Sequence, residues 1–169
     1  MTLMLNTENE RLLYDFKTDS QKDWYVMDDR EMGGVSYGYF DVNKQAHGHY
    51  HGNVSTANNG GFSSIRCQMV GTDVGDRKYI ILKVKGDKKS YQIRLKKRKS
   101  NYHSYIQTFE TNGKWQEIKI PLNELYPSFR GRKLNMEDFN APKIEEIALL
   151  IGNKKSEKFD LLLDWIKLI

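Results

Sequence analysis

Only one cysteine, Cys67, occurs among the 169 residues, so the chain forms no disulfide with itself and suits a reducing compartment. Long apolar runs are missing too. Ile147-Ala148-Leu149-Leu150-Ile151 has the length of a strand and falls far short of a bilayer span. No basic flank followed by an apolar stretch opens the chain. Glu8 and Glu10 stand there instead, which predicts neither a secretory signal nor a transit peptide and makes a cytoplasmic location the expectation. Nucleophile elbow, phosphate loop and dinucleotide fingerprint are all absent, since the doublets Gly33-Gly34 and Gly60-Gly61 have neither the spacing nor the strand-to-helix setting such loops need. No catalytic residue, metal or cofactor is expected, and the chain reads as a binding domain rather than an enzyme.

What is present is a globular composition, 38% hydrophobic and 29% charged, in a length that fits one domain. Residues 1–11 read as an N-terminal extension and 12–169 as a single domain. The dominant period is two. Strands are expected at Leu12–Phe16, Trp24–Met27, Tyr37–Val42, His47–Val54, Phe62–Val70 and Tyr79–Lys85. Others follow at Ser90–Lys96, Tyr102–Thr108, Trp115–Ile120, Glu145–Ile151 and Lys158–Ile169. About ten short antiparallel strands with little helix predict an all-β sandwich or barrel. One helical turn each is expected at Leu122–Tyr126 and Leu134–Phe139. The last strand is apolar on both faces and should be central and covered.

Two glycine turns stand out. Asn58-Asn59-Gly60-Gly61 offers several residues that tolerate positive φ and runs into a strand in which Ile65, Cys67 and Met69 face one way and Arg66 the other. Met32-Gly33-Gly34-Val35-Ser36 lies about thirty residues upstream. Asp28 or Asp29 is placed to cap the turn that follows it. Residues 77–99 hold eleven Lys/Arg against one acid, a net +10, and the rest of the chain is −5. Alternation of Lys83, Lys85 and Arg94 with apolar residues reads as the solvent face of an antiparallel hairpin, although an anionic partner would fit the same charge.

His47, His49 and His51 share one strand face, but about 6.5 Å between neighbours splays three imidazoles too widely for one ion, so a polar exposed face is expected. Asp160 and Asp164 fall on one face of the last strand. Ten Tyr, seven Phe and three Trp make the chain aromatic, and Tyr37, Tyr39, Tyr91, Tyr102 and Tyr105 are positioned either for core packing or for a sheet face that stacks on sugar rings. No RNA-binding signature is present, so nucleic acid is not an expected partner.

The series Trp24, Asp29-x-x-Met32-Gly33-Gly34-Val35-Ser36, Tyr50-x-Gly52-x-Val54-Ser55 and Asn58-Asn59-Gly60-Gly61-Phe62-x-Ser64-Ile65-Arg66 resembles the family of complex I intermediate-associated protein 30 (CIA30). Lys85-Gly86-Asp87 with Tyr91, Trp115 leading to Ile118-x-Ile120-Pro121, Phe129-Arg130-Gly131-Arg132 and Phe159-x-Leu161-x-Leu163-x-x-Ile166 extend the resemblance over residues 12–168. It implies a jelly-roll β-sandwich of the galactose-binding-like type. It also implies a non-enzymatic, chaperone-type role on a protein partner during assembly of a respiratory or membrane-associated complex, with an intracellular carbohydrate-binding module as the alternative. Without a mitochondrial presequence the chain is expected to be a bacterial homologue. The polar positions inside the matching segments are Asp29, Asn59, Arg66, Asp87, Tyr91 and Arg130. Either Arg66 pairs with Asp29 or Asp87 and ties the two glycine turns together, or these residues line a ligand or partner pocket at the same place.

Overall fold

The computed structural model describes residues 9–19 and 23–169; most of the N-terminal extension expected over 1–11 lies outside the described residues. Among the described residues, thirteen strands form two antiparallel sheets. They are β1 (Arg11–Asp15), β2 (Trp24–Asp28), β3 (Tyr37–Val42), β4 (Gly48–Val54), β5 (Ser63–Asp73), β6 (Tyr79–Lys85) and β7 (Ser90–Lys96). The rest are β8 (Ser104–Glu110), β9 (Trp115–Pro121), β10 (Tyr126–Phe129), β11 (Arg132–Lys133), β12 (Lys143–Ile151) and β13 (Glu157–Leu168). One sheet runs β3-β4-β13-β6-β9 with β1 paired to the far half of β13; the other runs β11-β10-β8-β7-β12-β5-β2. The expected all-β sandwich is what the chain forms.

The alternation explains the layering. Tyr50, Leu82, Val84, Leu161 and Leu163 from the six-stranded sheet meet Ile65, Ile93, Leu95, Ile147 and Leu149 from the seven-stranded sheet in one core, each of these side chains fully buried. Burying a side chain of that size stabilises the fold by about 2 kcal/mol.

Four expectations are corrected. The basic segment 77–99 is not a hairpin: β6 pairs with β13 and β9, while β7 pairs with β12 and β8 in the opposite sheet. The apolar sides of both strands face the shared core, so they lie across it rather than beside each other. The last strand is central, but a register shift between Leu163 and Trp165 moves Trp165 outward and turns Ile166 and Leu168 inward, so only one of its faces is core. Leu134–Phe139 forms no helical turn, because Leu134 N–H donates to Pro127 and Phe139 N–H to Leu125, lacing the segment to β10. Finally, the turn after Pro121 is short (Leu122–Glu124) and gives way to β10, a strand masked in sequence by Pro127.

Candidate functional site

Both glycine turns are places where the chain crosses between sheets. β2 leaves the seven-stranded sheet through a 3-10 turn (Asp29–Met32) to reach β3, and β4 leaves the six-stranded sheet through Ala57–Asn59 to reach β5. Asp29, 1% exposed, joins the two crossings. Its carboxylate accepts Ser36 N–H at 2.9 Å, Ser36 Oγ–H at 2.6 Å, Gly61 N–H at 2.6 Å and Phe62 N–H at 3.2 Å. Burial alone raises a carboxyl pKa, but the hydrogen bonds from Ser36, Gly61 and Phe62 outweigh it and hold Asp29 below its ordinary value. A Cβ on Gly34 or Gly60 would fall onto that same carboxylate, and Gly33 and Gly61 take φ of 89° and 146°. The doublets therefore supply room with one glycine and backbone reversal with the other. Asn58 and Asn59 also have positive φ, 56° and 60°. The neighbouring Asp28 is held by Arg30 Nε at 3.0 Å and by Gly38 N–H at 3.1 Å.

The turns are thus braced, but not by Arg66. Asp29 is filled by its own donors, and Asp87 accepts Tyr91 Oη–H at 2.9 Å, Lys89 Nζ–H at 3.1 Å and Asp160 N–H at 2.8 Å. Among the described residues Arg66 forms no ion pair, and its Nε is buried without a hydrogen-bond partner. The six sequence-selected residues fall in four places. Asp29 and Asn59 belong to the crossing turns. Asp87 lines an open cavity of about 430 Å³ beside Tyr37, Tyr39 and His51, with Tyr91 buried behind it. Arg130, at φ 50°, lies over the Phe129 ring at 5.3 Å. Arg66 stands on the outer face of the seven-stranded sheet.

On that outer face Arg66, Arg94 and Lys96 gather without an ion pair among the described residues. Register places Tyr25, Arg66, Ala148, Arg94, Ile106 and Tyr126 in one row across β2, β5, β12, β7, β8 and β10. Gln68, Glu146 and Lys96 form the adjacent row. The floor is small or apolar and buried, with Ser64, Ala148 and Ile106 all under 5% exposed. Arg94 donates through Nε and Nη2 to Gln92 Oε1 at 3.0 and 2.7 Å, a neutral partner. Burial, and then the Arg66 charge, push its guanidinium down to about 10. Lys96 is lowered by burial and by both arginines, against the opposing pull of Glu146. Tyr25 Oη–H reaches Glu146 Oε1 at 3.5 Å, and burial followed by the Glu146 charge raises its pKa. Three cations thus share one carboxylate on a partly buried surface, which is an arrangement that attracts an anionic group.

Sequence reasoning had picked out Arg66 and Arg94 but not their meeting, because only strand order sets β12 between them. The aromatic expectation divides. Tyr91 and Tyr105 are core, Tyr37 and Tyr39 are exposed on the other sheet, and Tyr102 is 85% exposed outside the strands. Tyr25 and Tyr126, not singled out in sequence, are the tyrosines on the charged row.

Several solved structures share the fold. The family 11 carbohydrate-binding module from Clostridium thermocellum, in complex with a beta-1,3-1,4-mixed-linked tetrasaccharide, has a TM-score of 0.70 at 16% identity, covering 95% of each chain. The family 11 module of the cellulosomal cellulase Lic26A-Cel5E of Clostridium thermocellum also has a TM-score of 0.70, at 17% identity over 95% of this chain and 94% of that one. The agarase AgWH50C matches at a TM-score of 0.60 and 14% identity over 94% of this chain, which corresponds to 24% of the agarase. These likenesses establish the jelly-roll β-sandwich fold. No curated protein matches the chain in sequence. The family model of complex I intermediate-associated protein 30 (CIA30), in contrast, matches residues 14–163, and the chain belongs to that family.

Proposed function

We propose that this chain is a non-catalytic binding domain that engages an acidic surface of a protein partner through the outer face of its seven-stranded sheet. The setting, taken from the family name, is assembly of a respiratory or membrane-associated complex. One observation carries the reading: Arg66, half-buried and without an ion pair among the described residues, lies in register with Arg94 beside Lys96. Leaving a guanidinium desolvated and unpaired is costly, and its planar fork is matched by a carboxylate supplied from outside. The carboxylates near the glycine turns are occupied structurally, Asp29 by four donors and Asp28 by Arg30 and Gly38, which leaves neither as an acid or base for chemistry. Among the described residues no helix is long and apolar enough to cross a membrane. The test is affinity capture from the native organism with the parent chain and with Arg66→Glu/Arg94→Glu. The reading expects subunits of one membrane complex with the parent and their loss with the variant; recovery of no such subunit by the parent counts against it.

A second reading is a carbohydrate-binding module that uses the same face. It is favoured by Tyr25, 39% exposed, and Tyr126 flanking a row of polar side chains, and by the fold shared with the tetrasaccharide-bound module. Binding of an acidic glycan that Arg66→Ala abolishes supports it, whereas silence across neutral and acidic glycans removes it.

A further inference from the structure

The outer face of the six-stranded sheet carries a second cluster, distant in kind from the cationic row. His49 and His51 leave β4 on the same side, their rings stacked with centroids 4.1 Å apart. Asp41 of β3 pairs directly with His49, and Asp160 of β13 pairs with His51 from the other flank. His49 Nε2 lies 3.1 Å from Asp160 Oδ1, and His49 Nδ1 lies 3.8 Å from Asp41 Oδ1. One ligand atom from each of Asp41, His49 and His51 falls within 4.8 Å of the other two.

We propose that Asp41, His49 and His51 bind a divalent transition ion, with Zn²⁺ the best fit, and that Asp160 orients His49. Two imidazoles and a carboxylate form the borderline donor set that zinc takes in open sites with three protein ligands. Bonds of about 2.0–2.1 Å bring tetrahedral ligand atoms to roughly 3.4 Å apart, so the three side chains close by little more than 1 Å. Asp41 is exposed and both histidines are partly exposed, and small side-chain rotations suffice. The contact between Asp160 and His49 Nε2 fixes the tautomer. With the proton on Nε2 donated to the carboxylate, the Nδ1 lone pair points toward Asp41, which is the carboxylate–histidine–metal relay that raises ligand basicity. His51 also lines the open cavity of about 430 Å³, together with Tyr37, Tyr39, Asp87 and Asp160. A donor atom from a bound molecule has room there.

Three consecutive histidines on one strand cannot converge, and the structure does not ask them to. His47 precedes β4, its N–H is held by Asn43 Oδ1 at 3.0 Å, and its ring packs on Trp115 at 4.6 Å. Asp41, contributed by the neighbouring strand, takes its place.

The experiment is a titration of the full, chelator-stripped chain with ZnCl₂ against a chromophoric competitor, with Co²⁺ absorbance as a second readout. The proposal expects one ion per chain and a tetrahedral Co²⁺ spectrum. His49→Ala and His51→Ala should each weaken binding at least tenfold, and Asp160→Asn about tenfold or more, as the loss of a carboxylate that orients a metal-binding imidazole does. His47→Ala should bind like the parent, and so should His103→Ala, which removes the fourth histidine, just before β8. Cys67 offers no rival site, because it is buried and burial pushes its thiol up to about 12. All variants sit at the surface or in loops, and an unchanged thermal midpoint confirms that they fold. Absence of stoichiometric Zn²⁺ binding by the parent, or parental affinity in His49→Ala and His51→Ala, overturns the proposal.

Discussion

The carboxylate of Asp29 accepts the backbone N–H of Gly61 at 2.6 Å, across 32 residues of chain. That contact joins the two crossings between the sheets and makes one buried carboxylate the common anchor of both glycine turns. Asp29→Ala should therefore cost about 3–5 kcal/mol, since it strands several buried donors at once. Asp29→Asn keeps the volume but loses the charge-assisted bonds, and should cost less. Urea unfolding of the three proteins checks the order. A cost below about 1 kcal/mol for Asp29→Ala would remove the anchor from the account.

The same carboxylate dictates which glycines cannot change. Gly34→Ala and Gly60→Ala each drive a Cβ into the Asp29 carboxylate. Each should destabilise by about 2–4 kcal/mol, through overpacking and loss of the bonds it displaces. Gly131→Ala, at φ 77° with open space around it, should cost only about 1 kcal/mol. A double-mutant cycle sharpens the point. In an Asp29→Ala background the cost of Gly34→Ala should shrink, and strict additivity would show that the two do not share a site.

Stability should respond to acid through this group. Asp29 has a lowered folded pKa, so the unfolded chain binds more protons and stability rises with pH. The contribution is complete above the unfolded value of about 4 and is lost as pH falls through the lower folded value. Denaturant midpoints measured from pH 7 to pH 2 should fall in that window for the parent, and less steeply for Asp29→Asn. Equal slopes would mean that other carboxylates carry the acid response.

The fold was legible because alternation is local. Ile80, Leu82 and Val84, or Ile93 and Leu95, declare their inward face over a few residues. The glycine turns were legible as backbone reversals too, since Asn58, Asn59, Gly33 and Gly61 all take positive φ. What stayed hidden depends on pairings far apart in sequence. Nothing near Arg66 announces that Arg94 will face it across β12, whereas the segments that carry the resemblance offer Asp29 and Asp87 as carboxylate partners. Both of those turned out to be filled by closer donors. The shift in β13 is hidden for a similar reason: it falls at Asp164, whose buried carboxylate pairs with Lys17 at 3.0 Å and Lys83 at 3.6 Å, partners far away in sequence. β10 escaped because Pro127 reads as a breaker, although an edge-proximal strand accepts it.

Arg66 should behave unlike a scaffold residue. With no carboxylate partner among the described residues to lose, Arg66→Met is expected to leave stability within about 1 kcal/mol of the parent, or to raise it by relieving repulsion with Arg94 and Lys96. Thermal and urea unfolding decide this. A loss of more than about 2 kcal/mol would mean that the guanidinium is a structural strut.

The most direct test of the binding face is a comparison of partner capture by the parent and by Arg66→Glu/Arg94→Glu at matched folding, judged by circular dichroism and melting temperature. The account predicts that the parent retains subunits of a membrane complex and that charge reversal lowers their recovery at least tenfold, with the β-sandwich intact. Equal recovery by a folded charge-reversed variant would contradict it.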